Sequence, residues 1–268
     1  MTTTITVPTL SLIFCSVSAI LSIGVPILLV VLCVRQRKGT LWAVFTGAAC
    51  FVVGAMLLES LFHRLMLTVL VPDLLQHPVA YILYSCMAAG VFEETARLIG
   101  LSLLSRCDAT PVIGFAYGVG HGGIEAVIIG GLGAVNNIAT IVMVNIGQTD
   151  TLLNGLSGDT LTLAIAQLEQ LAQIPSTLFL ASGLERMVTL AFHIALSMLV
   201  WMIVARHIPR WGFGIAILLH AGMDVFALLY QLGIITNIWL TEAALVVLVP
   251  IVCIGIWRVY KQTEITAA

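Results

Sequence analysis

Apolar runs of about twenty residues recur along this chain between charged or Pro/Gly breaks, each long enough to cross ~30 Å of hydrocarbon as a helix. They predict helices over 8–34, 40–62, 79–104, 111–145, 177–205, 211–232 and 236–257, about seven spans in all. The fold class expected is all-α, a polytopic membrane helix bundle. A single integral membrane domain covers 1–268, with the motif-bearing helices inside 79–232. The fourth run is too long for one plain span and carries Gly130, Gly131, Gly133, Asn136 and Asn137, so it is expected either to break or to continue past the bilayer. Between the fourth and fifth runs, the stretch LAIAQLEQLAQI repeats with helical period, which predicts a short interfacial helix.

Composition agrees with a membrane solvent: 60% of residues are hydrophobic, 9% are charged, and the mean hydropathy is +1.11. The basic residues Arg35, Arg37, Lys38, Arg106, Arg206, Arg210, Arg258 and Lys261 fall in alternate connections. The positive-inside rule then puts the N-terminus outside and the C-terminus in the cytoplasm, in a multi-pass protein of a bacterial cytoplasmic membrane, with lipid as its surroundings. The 147–176 segment, bearing Asp150, Asp159 and Glu169 but no Lys or Arg, becomes the long external loop. A net charge of −2 with eleven Lys and Arg supplies no surface for phosphate neutralisation, so no nucleic-acid partner is expected. The six cysteines are scattered without any CxxC and read as packing residues. No basic segment precedes the first helix, so no cleaved signal peptide is expected. The lysines, Lys38 and Lys261, both sit in connections, which excludes a retinal Schiff base in the core.

Against this apolar background, four segments carry ionisable groups inside helices: FEETAR at 92–97, GHGGIEA at 120–126, ERMVTLAFH at 185–193 and HAGMD at 220–224. Each such group costs roughly 2.5–3.5 kcal/mol in hydrocarbon even on lenient insertion scales, so groups on different helices are tolerated when they face one another, a cavity or a substrate. Counted at about 1.5 Å per residue from the helix ends, Glu93, Glu94, His121, His193 and His220 all fall in the middle third of the membrane. Helical phase adds that Glu93 and Arg97, His121 and Glu125, and His220 and Asp224 are i, i+4 pairs sharing a face, and that Arg186, Thr189, His193 and Ser197 form one stripe. Beside His121 runs a small-residue stripe, Gly114, Gly118, Gly122, Ala126 and Gly130, which permits close helix approach. Glu59, His63 and Arg64 lie near a helix end, where snorkelling accounts for them.

Three imidazoles and a carboxylate form a complete first-row metal ligand set. His121, His193 and His220 are the candidate metal ligands, with Glu94 as a further one, and zinc fits such a set; no other cofactor is expected. Glu93 or Glu94 can serve as general base, Arg97 or Arg186 can hold the second carboxylate ionised or stabilise an oxyanion, and Glu125 and Asp224 complete the candidate site. The chemistry these groups favour is water attack on an amide carbonyl, by glutamate- and histidine-activated water that is free or zinc-bound. Neither HExxH nor GxSxG occurs. Two other readings use the same residues: a proton or metal transporter or channel, and a non-catalytic scaffold in which polar groups hold helices together.

EETAR, GHGGIEA, ERMVTLAFH and HAGMD together resemble the YhfC family of intramembrane peptidases. That family is similar to the CAAX-prenyl endopeptidases and their bacteriocin-processing relatives, the PrsW proteases and the APH subunit of γ-secretase. The resemblance covers about half of the chain. It implies a first motif at Glu93, Glu94 and Arg97, a second-motif histidine at His121, and a final HxxxD/N motif at His220 and Asp224. By that likeness Glu93 or Glu94 is the base, His121 and His220 position water or metal, and Asp224 supports them, in an endopeptidase acting on a membrane-associated peptide or protein. The first motif here is EExxR where the CAAX enzymes have EExxxR, and Asp224 can donate to an oxyanion only when protonated.

Overall fold

The computed structural model describes residues 5–267, with side chains described through Thr263. The main helices among the described residues are α1 (Thr9–Gln36), α2 (Thr40–Leu70), α3 (Pro78–Leu104), α4 (Pro111–Asn145), α5 (Thr149–Leu153), α6 (Gly158–Gln173), α7 (Ser176–Val204), α8 (Gly212–Gln231) and α9 (Ile238–Ala267). Among the described residues there is no strand, so the all-α expectation holds. Six helices, α1, α2, α4, α7, α8 and α9, are long and apolar enough to cross a membrane. The seventh expected span corresponds to α3, a continuous helix of 27 residues whose charged motif sets it apart from the other six. Its two faces differ: Val79, Leu83, Ile99 and Leu103 are exposed, whereas Glu93, Glu94 and Arg97 are buried.

The ends of these helices follow from local chemistry. Pro78 and Pro111 occupy first helical positions, where the missing N–H has no partner to lose. Gly147 (φ 76°) and Gly233 (φ 70°) end α4 and α8 in the left-handed region, and Arg206 (φ 63°) does the same after α7 with a side chain in place of hydrogen. Of the two outcomes expected for α4, a break or a continuation, the break does not occur. The helix runs unbroken for 35 residues, about 52 Å, and Gly130 and Gly131 lie in a π-helical segment over Ala126–Gly131. The helix expected at LAIAQLEQLAQI is α6, which spans Gly158–Gln173 and buries Leu168.

The chain packs as two compact units. One, Met1–Val25 with Ala126–Met187, has a core of Val7, Cys15, Ile141, Val144, Leu168 and Phe179. Asn145 closes the N-terminal end of this unit by accepting from the Val7 N–H (2.8 Å) and donating to the Val7 carbonyl (2.9 Å). The other, Pro26–Glu125 with Val188–Ala268, holds the larger core, centred on Leu101, Tyr117, Phe192, Leu196, Val200, Trp201 and Met202. All six cysteines are free; Cys15, Cys33 and Cys86 are buried, as packing residues should be, and Cys107 is exposed.

In the larger unit, missing side chains set how close α4 comes to its neighbours. A Cβ on Gly114 would sit 2.7 Å from Trp201, one on Gly118 2.7 Å from the Ile194 backbone, and one on Gly122 2.9 Å from His193 Cβ. The small-residue stripe therefore packs on α7, as its spacing predicts. A second close approach was not read from the sequence. Gly120 on α4 and Gly47 on α2 face each other's helices so closely that a Cβ on either would overlap a backbone carbonyl, that of Val44 or of Tyr117. His121 is thus flanked by backbone-to-backbone packing on two sides.

Candidate active site

Four helices of the larger unit deliver the polar groups: α3 supplies Glu93, Glu94 and Arg97, α4 His121 and Glu125, α7 His193 and Ser197, and α8 His220 and Asp224. Glu93, Glu94, Arg97, His121, Glu125, His193, Ser197 and His220 are all buried. The three imidazoles stand together, with ring centroids 5.0 Å apart for His121 and His193 and 5.3 Å for His193 and His220. Phe51 and Tyr117 pack on the His121 ring and Phe192 packs on the other two, which fixes ring orientation by apolar contact.

Hydrogen bonding divides the two adjacent glutamates into different environments. Glu94 forms an ion pair with Arg97, Oε2 to Nε at 3.0 Å, and its other oxygen accepts from His220 Nδ1 at 2.7 Å. Both oxygens of Glu94 thus face other side chains of the site, Arg97 and His220. Glu93 points elsewhere: Oε2 lies 2.9 Å from His121 Nε2, and Oε1 lies 3.8 Å from His220 Nε2. Asp224 Oδ2 is 3.6 Å from the same His220 nitrogen, and the Asp224 side chain is 40% exposed, against 11% for Glu93 and 3% or less for His121 and His220. Asp224 marks the open side of the cluster.

Arg97 ties α3 to α7. Beyond Glu94, it donates through Nη1 to the His193 carbonyl (2.7 Å) and Ser197 Oγ (2.5 Å), and through Nη2 to His193 Nδ1 (2.9 Å). His193 Nε2 in turn lies 2.6 Å from Glu125 Oε2. Glu93 and Arg97 are i, i+4, but the arginine pairs with the next residue, Glu94, at i, i+3. Arg186, the alternative arginine, pairs with its neighbour Glu185 at 2.5 Å. Glu59 and His63 pair at 3.1 Å, with His63 Nδ1 2.8 Å from Tyr84 Oη, and Arg64 is exposed. Sequence reasoning passed over Thr241 and Glu242, buried near the start of α9; a lone acid about one turn from a helix end carried no partner signal.

Glu93, His121 and His193 each offer a ligand atom within 4.8 Å of the others, the spacing of a metal-holding group. His121 Nδ1 is moreover buried with no hydrogen-bond partner among the described residues, while Nε2 of the same ring lies beside the Glu93 carboxylate. Nitrogen and oxygen donors of this kind fit zinc and similar first-row ions.

Residues 21–245 match the YhfC intramembrane metalloprotease family. The chain belongs to this family. A similar protein of Bacillus subtilis (strain 168), which bears the name "Uncharacterized membrane protein YhfC", is 33% identical over 257 residues, 95% of this chain and 97% of its own length. No solved structure gives a significant match. Membership of the YhfC family supports a multi-pass membrane protein of the protease class in general. The family name is that of a metalloprotease and lends no support to a glutamate-protease type.

Proposed function

We propose that this chain is a metal-dependent endopeptidase that hydrolyses a peptide bond of a membrane-associated or transmembrane substrate at the Glu93, His121 and His220 cluster. The observation that carries the reading is the convergence of three buried imidazoles and two differently bonded glutamates from four helices, with Asp224 on the open side. The orientation with the N-terminus outside and the C-terminus cytoplasmic goes with it, on the strength of the alternate basic connections.

Each residue then has a task set by its surroundings. Glu93 has a carboxylate between His121 and His220 and no arginine partner, so it is the group placed to take the proton of an attacking water. Glu94, held by Arg97, orients His220 through Nδ1, in the manner of carboxylates that fix a histidine ring from behind. Asp224, half in solvent, meets the entering peptide and supports the carbonyl oxygen when protonated. Glu93 and the histidines 121, 193 and 220 are the side chains from which a divalent cation would draw its ligands. Such an ion, when bound, supplies Lewis acidity toward the water and the scissile carbonyl.

The test is cleavage of a quenched-fluorescent library of apolar peptides by detergent-purified protein. Wild-type cleavage that is lost in Glu93→Gln, His121→Ala and His220→Ala, and reversibly lost on treatment with 1,10-phenanthroline, is expected. Variants that match wild type in rate would sink the proposal. Variants that fail to fold would favour the scaffold reading, so far-UV circular dichroism and gel filtration accompany each assay.

A further inference from the structure

Away from the candidate active site, α7, α8 and α9 enclose a groove in the larger unit with a volume of about 410 Å³. Leu199 of α7, Ile215 and Leu219 of α8, and Val252 and Ile256 of α9 form its walls, and every residue lining it is apolar. The three helices give it one direction. Leu219 and Val252 lie at the inner end, while Pro209, Trp211 and Val259 stand at the mouth, where α7 gives way to α8 and α9 nears its C-terminal end. From Trp211 to Leu219 the groove follows α8 for about 12 Å. Trp211, Ile215 and Val259 are exposed, so the groove opens on the outer surface of the helix bundle. Gly255 keeps the α9 wall low, because a Cβ there would meet nothing within 4 Å.

The mouth carries charge that the walls lack. Arg206 and Arg210 bracket Ile208 and Pro209 in the connection between α7 and α8, and Arg258 directly precedes Val259. Arg258 also stands at i, i+3 from Gly255, on the flank of the groove wall. All three arginines are exposed, and none forms an ion pair or side-chain hydrogen bond among the described residues. No Asp or Glu occurs within 199–219 or 252–263, and the first acid beyond is Glu264. Arg37 makes the contrast: in its connection it is paired with Asp108 at 2.7 Å. Trp211 and Trp257, next to Arg210 and Arg258 in the chain, are exposed as indole rings are at a membrane interface.

We propose that this groove seats one acyl chain of an anionic phospholipid, with the lipid phosphate held by Arg206, Arg210 and Arg258. Bilayer tails are as apolar as the groove, so the groove fixes where the chain lies and contributes little preference of its own. Selectivity comes from the mouth. Guanidinium groups bind phosphate oxygens through paired N–H donors, and a cluster of them without neighbouring carboxylates favours a headgroup with net negative charge over a zwitterionic one. On the orientation proposed above, the lipid belongs to the cytoplasmic leaflet.

Native mass spectrometry of the detergent-purified chain, titrated with dioleoylphosphatidylglycerol or dioleoylphosphatidylcholine, tests the site. One phosphatidylglycerol per chain should be retained, at least about tenfold tighter than phosphatidylcholine. Arg210→Gln and Arg258→Gln should each weaken phosphatidylglycerol about fivefold and leave phosphatidylcholine unchanged. Arg64→Gln, an exposed arginine outside the groove, should match wild type. Gly255→Leu fills the groove and should displace the lipid, whereas Gly214→Leu, which also meets nothing within 4 Å but lies outside the lining, should not. The exposed arginine variants keep the test decisive where Gly255→Leu does not fold. Equal retention of the two lipids overturns the proposal, as does an Arg64→Gln loss as large as that of Arg210→Gln, which would mean a response to overall charge. Displacement of the lipid by an equal concentration of glycerol 3-phosphate would make this a free-phosphate site and overturns it too. A shift from dimer to monomer in Gly255→Leu would assign the groove to a second copy of the chain, against the proposal.

Discussion

Arg97→Met tests whether the buried charge pair of α3 is the strut of the site. Arg97 is fully buried and touches Glu94, the His193 carbonyl, His193 Nδ1 and Ser197 Oγ. Removing one partner of a buried ion pair costs about 3–5 kcal/mol, because the remaining charge stays in the low-dielectric interior without compensation. The orphaned carbonyl of His193 keeps its bond from Ser197, so the arginine's loss there adds less than a full unsatisfied acceptor. The expected loss is therefore about 4 kcal/mol for Arg97→Met. Glu94→Gln alone leaves a buried guanidinium facing an amide and should cost a comparable amount. The double variant Arg97→Met with Glu94→Gln removes both charges, and its loss should fall at least about 2 kcal/mol short of the sum of the singles, since contacting residues couple. Buried Cys15, Cys33 and Cys86 provide the assay, because a thiol-reactive fluorophore reports their exposure as the protein unfolds in mixed micelles. Losses that simply add would refute the argument that Glu94 is held in place by Arg97.

Three further outcomes are expected. Gly120→Ala drives a methyl into the Val44 carbonyl of the adjacent helix and should cost about 1–3 kcal/mol, whereas Gly222→Ala, which meets nothing within 4 Å, should be neutral or slightly stabilising; equal effects in thermal unfolding would refute the close approach of α2 and α4. Tyr84→Phe removes the hydroxyl that meets His63 Nδ1 and should cost about 1 kcal/mol, measured in the same way. In the connection between α3 and α4, slight burial alone would raise the Asp108 carboxyl. Hydrogen bonds from the Thr110 backbone and hydroxyl and from Arg37 outweigh it and hold the group below its ordinary range. A depressed folded value means that Asp108 stabilises the protein above the ordinary carboxylate range and that this contribution fades as pH falls through the folded value. Asp108→Asn should therefore lower stability by less than about 1 kcal/mol at pH 7 and by less still in acid; a deficit that does not shrink on acidification contradicts the assignment.

The helices and the cluster were legible for one reason: hydrocarbon makes both patterns expensive to break. A span needs an unbroken apolar run, and a buried charge needs company, so runs and depths read from sequence locate α1 to α4 and α7 to α9 and bring Glu93, Glu94, His121, His193 and His220 to one level. The partners within that level were not legible. Phase places Arg97 near both Glu93 and Glu94, and the sequence does not show that its Nε meets Glu94 while its Nη atoms reach His193 on α7. The π segment in α4 was likewise visible only as a cluster of glycines, since glycine marks a break, a bulge or a close approach alike.

Gly47 and Gly120 show the same limit from the packing side. Gly47 is an isolated glycine in an apolar run and Gly120 is one of four between 118 and 123, and a glycine pair on two different helices has no signature along one sequence. Their effect nevertheless reaches the site. The backbone approach of α2 to α4 puts the Gly47 position against the His121 N–H and the Tyr117 carbonyl, and Phe51, one turn further along α2, closes on the His121 ring edge-on at 5.4 Å. The ring is thereby walled by Phe51 and Tyr117 while Nε2 faces Glu93, which leaves Nδ1 in an apolar surrounding. An imidazole in that position gains most from a ligand that satisfies the cluster as a whole. This is why the small residues of α2 and α4, distant in sequence from the acidic motif, belong to the same functional argument as the motif itself.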